Sequence, residues 1–136
     1  MKTFRLKIVI ALCAALTFSP AAIAKDAERK VLDAKAAKTL TSGRMWHSKS
    51  ISGSGFFSWS WKSDGSVCLR DNEDAGKCLD TGTWKLENDR LCYELTWWGA
   101  SSGFKSNCFR IEDKGKGRYG WLKDNGLSVI EFSVAK

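Results

Sequence analysis

Gly82-Thr83-Trp84-Lys85-Leu86 opens the stretch that decides the fold, and Glu87-Asn88-Asp89-Arg90 follows it as a polar turn. Leu91-Cys92-Tyr93-Glu94-Leu95-Thr96-Trp97 comes next, then a loop of small residues over 99–103, then Ser106-Asn107-Cys108-Phe109-Arg110-Ile111. This reads as strand, turn, strand, loop, strand, with one cysteine on each of the last two strands. Successive strand residues point to opposite faces. Leu91, Tyr93, Leu95 and Trp97 therefore share one face, and Cys92 and Glu94 take the other. On the next strand Phe109 and Ile111 lie opposite Cys108, Arg110 and Glu112. One register thus brings both cysteines together, away from the main apolar face.

The same two-residue period extends in both directions. Upstream, Met45-Trp46 opens a first strand, and Gly53-Ser54-Gly55 leads into Phe56-Phe57-Ser58-Trp59-Ser60-Trp61, where Phe57, Trp59 and Trp61 share a face. Lys62-Ser63-Asp64-Gly65 is a turn of Asp-Gly type, and residues 66–70 return. Downstream, 113–117 turns the chain into Arg118-Tyr119-Gly120-Trp121-Leu122, and Lys123-Asp124-Asn125-Gly126 is another hairpin turn. Ile130, Phe132 and Val134 then alternate along the last strand. The single proline, Pro20, lies outside all of these strands. About eight short strands joined by tight turns predict a mainly β fold. An antiparallel up-and-down meander with one apolar face must roll into a small barrel, closed or left incomplete. A two-sheet β-sandwich is the alternative.

The ends set the compartment. Lys2, Arg5 and Lys7 precede an apolar run over 8–18 and an Ala22-Ile23-Ala24 ending, the pattern of a cleaved signal peptide over 1–24. The run is shorter than the roughly 20 residues a membrane span needs, so no integral membrane segment is expected after cleavage. Removing 24 residues from 136 leaves 112, enough for one core. Residues 25–43 read as a helical leader, with Ala27, Val31, Ala34 and Leu40 near one face, and 44–136 as the β-domain. Without Lys2, Arg5 and Lys7, the 22 basic residues become 19 against 15 acidic, a net charge of +4. These charges are interspersed, as in Lys85/Glu87 and Arg110/Glu112, which argues against a nucleic-acid partner.

Cys13 leaves with the signal. The even set Cys68, Cys78, Cys92 and Cys108 in an exported small domain predicts two disulfides. Cys68 and Cys78 are equidistant from Glu73, and Cys92 and Cys108 from Ala100. Residues equidistant from a hairpin tip lie opposite each other, which selects Cys68–Cys78 and Cys92–Cys108. No Cys-x-x-Cys spacing supports zinc, so no metal or other cofactor is expected. The expected location is periplasmic or secreted, and the expected state a monomer.

The alanine-rich helix ending in Leu40 and Gly43, then Trp46, the Gly/aromatic strand, Gly82-x-Trp84, Leu91-Cys92-Tyr93 and Cys108-Phe109 form an ordered pattern. In this order the chain resembles the small exported proteins grouped as domain-of-unknown-function family 995, found mainly in alphaproteobacteria. The likeness covers roughly 40–122. It implies compartment and fold and supplies no catalytic residue, and the Cys68/Cys78 pair is an addition to the family pattern. The Gly-x-Trp strand also resembles lipocalins and avidins.

Reactive groupings are sparse. His47 is the sole histidine, no Gly-x-Ser-x-Gly elbow occurs, and the carboxylates at 64, 71, 73, 74 and 89 fall in turns. Tryptophan stands out at seven residues, at least four of which a small β-core should absorb. Trp97-Trp98 is different, because neighbours on a strand cannot both face the core. One of them is expected to be exposed or to pack across the 99–103 loop. Trp59, Trp61, Trp97, Trp98 and Lys105 are the candidate binding residues, for an envelope glycan, a small apolar ligand or a protein partner. The expected function is a noncatalytic binding or interaction protein of the bacterial envelope. A sharper version is an inhibitor of an envelope or host hydrolase that uses the 71–77 loop as its probe. A small secreted hydrolase using His47 with a loop carboxylate is the other class.

Overall fold

A computed structural model describes residues 28–50, 55–71 and 76–136. The signal-peptide reading over 1–24 lies outside these residues. Strand β1 (Lys30–Val31) precedes helix α1 (Ala34–Thr41), and eight longer strands follow. They are β2 (Arg44–Ser50), β3 (Phe56–Trp61), β4 (Ser66–Asp71), β5 (Asp80–Glu87), β6 (Arg90–Leu95), β7 (Ser106–Gly115), β8 (Arg118–Leu122) and β9 (Ser128–Val134). Each of these eight pairs antiparallel with the next, and β9 returns to β2 with Trp46 opposite Val134. The meander is therefore a closed eight-stranded antiparallel barrel, which leaves no open edge around the ring.

The residues that alternated in the sequence now fill the barrel. Trp46, Trp59, Trp61 and Trp121 are each at most 1% exposed, with Leu69, Leu91, Leu95, Phe109 and Ile111 around them. The rings pack specifically. Phe109 and Trp121 stack with centroids 4.0 Å apart, Trp46 and Phe132 at 3.9 Å, and Tyr93 meets Trp59 edge-on at 5.1 Å. Trp46 joins the closing strands β2 and β9 through its ring. Its indole N–H donates to the Leu40 carbonyl at 3.0 Å, which seats α1 against the core.

Gly82 and Trp84 explain their motif physically. A Cβ at Gly82 would overlap the backbone carbonyl of Glu94 on β6, so only glycine lets β5 and β6 approach this closely. Trp84 sends its indole N–H to the Lys62 carbonyl at 2.8 Å and so fastens the β3–β4 turn to β5. The polar turn after β5 is a two-residue hairpin over Asn88-Asp89, with Glu87 opposite Arg90 and Asn88 at φ +58°.

Both disulfides join the expected partners. Cys92 and Cys108 are direct register partners with Cα atoms 4.1 Å apart, the close spacing of a pair without mutual ladder hydrogen bonds. Cys68–Cys78 forms for another reason than symmetry. Cys68 lies opposite Thr81, and Cys78 sits before β5 begins, so the bridge ties a loop to β4 outside the ladder.

Two expectations need correction. Of the helical reading over 25–43, residues 25–27 lie outside the described residues, and within the rest the helix is confined to Ala34–Thr41. Asp33 caps it, accepting the Ala36 N–H at 2.8 Å, and the chain before it turns extended. There β7 outruns β6, and Lys30–Val31 takes the vacant ladder positions opposite Asp113 and Glu112. Finally, Trp97 does not share the inward face of Leu95. Strand β6 stops at Leu95, and Trp97 is 55% exposed.

Replacing Gly82 with alanine is expected to lower stability by about 3 kcal/mol through backbone overlap. Urea unfolding of Gly82→Ala measures it, and a midpoint matching the parent protein would refute the close approach of β5 and β6.

Candidate functional site

Strand direction divides the connections between two ends. One end carries α1 and the short turns at 62–65, 88–89 and 116–117. The other carries the starts of β3 and β5 and the connections at 96–105 and 123–127. The exposed large apolar side chains Phe56, Leu79, Trp97 and Leu127 belong to this second end. Of the 71–77 probe loop, residues 72–75 lie outside the described residues.

The 96–105 loop is built from within. Asp80 starts β5 and is only 4% exposed. Its Oδ2 accepts the backbone N–H groups of Trp97 at 2.9 Å and Trp98 at 2.7 Å, and its Oδ1 accepts that of Thr81 at 2.8 Å. Burial pushes this carboxyl upward, but the N–H groups of Trp97, Trp98, Thr81 and Thr96 outweigh it and hold the pKa below the ordinary carboxylate value. The captured amides pull the chain out of the β6 ladder after Leu95. That is why two adjacent tryptophans leave the strand alternation.

The far side of the loop is held from the core. The Tyr93 hydroxyl donates to the Phe104 carbonyl at 2.8 Å, and burial pushes this phenol up, so it remains a donor throughout the physiological range. The Leu95 N–H donates to the Lys105 carbonyl at 2.8 Å and closes the loop base. Gly99, at φ +74°, packs so closely on Phe104 that a Cβ would lie 2.7 Å from the Phe104 Cβ. The loop is therefore preset rather than loose.

On this scaffold Trp98 is half-buried and meets the Phe57 ring edge-on at 4.8 Å, while Trp97 faces solvent. Leu79, next to Asp80, adds a partly exposed apolar side chain at 39%. Lys105 is half-buried at the loop base. Trp59 and Trp61 stand elsewhere, inside the barrel at 1% and 0% exposure, stacked at 5.3 Å. The structure thus brings Trp97, Trp98 and Lys105 into one loop and walls Trp59 and Trp61 away from it. Asp80 went unnoticed in the sequence. Its signal was only an aspartate opening a strand, which a turn role explains equally well.

His47 lies on the outer wall of β2, with Nδ1 2.9 Å from the Ser58 Oγ. It lines a shallow groove of about 290 Å³ with Lys49, Phe56, Arg118 and Glu131. The carboxylate there is Glu131, a strand residue held by Arg118 at 3.5 Å and Lys114 at 3.8 Å.

Asp80→Ala removes the acceptor of the Trp97, Trp98 and Thr81 amides and is expected to cost about 2 kcal/mol. Because the folded carboxyl sits below the ordinary 3.8, its contribution is present above that pH and lost as pH falls through the folded value. The gap in melting temperature between parent and variant should therefore narrow on acidification below about pH 4. A gap independent of pH would contradict an ionised Asp80.

The family model described as "Protein of unknown function (DUF995)" matches residues 9–126. No curated protein and no solved structure gives a match. With the match covering most of the chain, and with the closed barrel and its Gly-x-Trp strand in place, the protein belongs to the DUF995 family.

Proposed function

We propose that the protein is a noncatalytic binding protein of the extracytoplasmic space that docks a protein partner through the loop end of its barrel. The observation that carries this reading is the fixed display of Trp97. An indole 55% exposed to water is held on a loop whose backbone is fastened by Asp80 and Tyr93. A preset aromatic anchor loses little freedom on association, and such anchors dominate protein interfaces. Leu79 beside it and the Trp98–Phe57 pair beneath it extend the apolar contact. The ring-filled interior favours this outward reading over a small apolar ligand held inside the barrel. Two disulfides, and no helix among the described residues long and apolar enough to cross a membrane, are consistent with export to the periplasm or beyond. A loop fastened in this way, at 96–105, also suits an inhibitor of an envelope or host hydrolase.

The oxidised protein, immobilised and exposed to envelope extract, should retain a protein partner. Trp97→Ala should weaken that complex about thirtyfold, corresponding to about 2 kcal/mol. Retention of glycan alone, or a complex that Trp97→Ala leaves unchanged, would overturn the reading.

A further inference from the structure

The outer wall formed by β5, β6 and β7 has chemistry of its own. The Glu87 carboxylate and the sulfurs of Cys92 and Cys108 lie there with their donor atoms all within 4.8 Å of one another. Among the described residues this is the one place where three such side chains converge. They sit in a surface groove of about 490 Å³ edged by Thr83, Lys85, Glu94 and Ser106. Cys108 is exposed and Cys92 is buried at 6% exposure, so one sulfur of the bridge is open to attack from solvent. Glu87 divides its oxygens. Oε1 meets the Lys85 ammonium at 2.5 Å, and Oε2 faces the Cys92 sulfur at 3.7 Å.

The two bridges differ in what they hold. Cys68–Cys78 anchors a segment outside the ladder. Cys92–Cys108 joins residues that the β6–β7 ladder already places opposite each other, in a run from Leu91↔Phe109 to Glu94↔Ser106. The loop between these strands is secured independently by Asp80, Tyr93 and the Leu95–Lys105 hydrogen bond. Opening Cys92–Cys108 therefore leaves the strands in register and frees two thiols side by side.

We propose that this wall is a redox-gated site for a thiophilic divalent cation of the zinc(II) class, with Cys92, Cys108 and Glu87 as ligands. A dithiol supplies the electrons. Its thiolate attacks the exposed Cys108 sulfur, the Cys92–Cys108 bond breaks, and Cys92 leaves as thiolate and takes a proton. The second thiol of the reagent then displaces Cys108, so the dithiol departs oxidised as a disulfide and the protein keeps two thiols. Cation binding releases both thiol protons. Two thiolates and a carboxylate are a donor set that zinc(II) accepts, and a fourth position stays open to water. In the oxidised protein the sulfurs lack the charge to bind, which makes the bridge the gate. This inference goes beyond the docking reading and does not depend on it.

The test uses the whole protein reduced by a phosphine that is then removed, with cadmium(II) as probe. Thiolate-to-cadmium absorbance reads binding, and far-ultraviolet circular dichroism reads the barrel. The reduced protein should keep its β spectrum and take up a single cadmium(II), which zinc(II) displaces, while the oxidised protein takes up none. Cys108→Ser should abolish uptake, Glu87→Gln should weaken it at least about tenfold, and the Cys68→Ser/Cys78→Ser double variant should retain it. Loss of the barrel on reduction overturns the proposal. So does an intact reduced barrel that binds no cadmium(II), or uptake that follows Cys68 and Cys78 instead of Cys108 and Glu87.

Discussion

Ring-to-ring packing around Trp59 is the contact on which the rest of the structure depends. Trp59 stacks on Trp61 and meets Tyr93 and Trp121 edge-on, at 5.1 to 5.3 Å, so residues from β3, β6 and β8 share one interior cluster. Its indole N–H donates to the Ser48 hydroxyl at 3.0 Å, which satisfies a polar group that burial would otherwise penalise. An eight-stranded barrel has an interior just wide enough for side chains to fill. Aromatic rings fill that space with few residues and few rotatable bonds. The Trp46–Phe132 stack applies the same logic where the first and last barrel strands meet.

A filled interior moves any recognition to the outside. Tyr93 links the two regions, because its ring belongs to the core and its hydroxyl steadies the Phe104 carbonyl of the loop. Asp80 performs the matching task from β5, and it does so as a buried carboxylate fed by the backbone N–H groups of Thr81, Trp97 and Trp98. Loop order here derives from the core rather than from the loop's own composition, which is rich in glycine and serine and would otherwise favour freedom.

Much of this architecture was legible in the sequence. Alternation in Phe57, Trp59 and Trp61, and again in Leu91, Tyr93 and Leu95, identified the inward faces, and the turns at Asp64-Gly65 and Asn125-Gly126 gave the meander. The bond between Cys92 and Cys108 followed from register. What could not be read were long-range captures that leave no local pattern. Lys30–Val31 is extended only because β7 offers unpaired positions far along the chain. Trp97 leaves the strand only because Asp80 draws its amide away. Symmetry about a tip gave the right partner for Cys68, yet Cys78 lies outside the ladder and bonds through loop geometry. Spacing already set Trp59 and Trp61, two apart on one strand face, against the adjacent Trp97 and Trp98, but it did not show which of the adjacent pair would be exposed.

The small strand β1 carries a kinetic consequence. Lys30 docks on Asp113, 83 positions later, and β2 waits for β9 before the ring can shut. Topologies ruled by such distant partners acquire their final form slowly. A chain emerging from its amino end therefore presents Lys30 and Val31 to the surroundings well before Asp113 and Glu112 arrive. Strands β1 and β2 take their final places only after β7 and β9 have emerged.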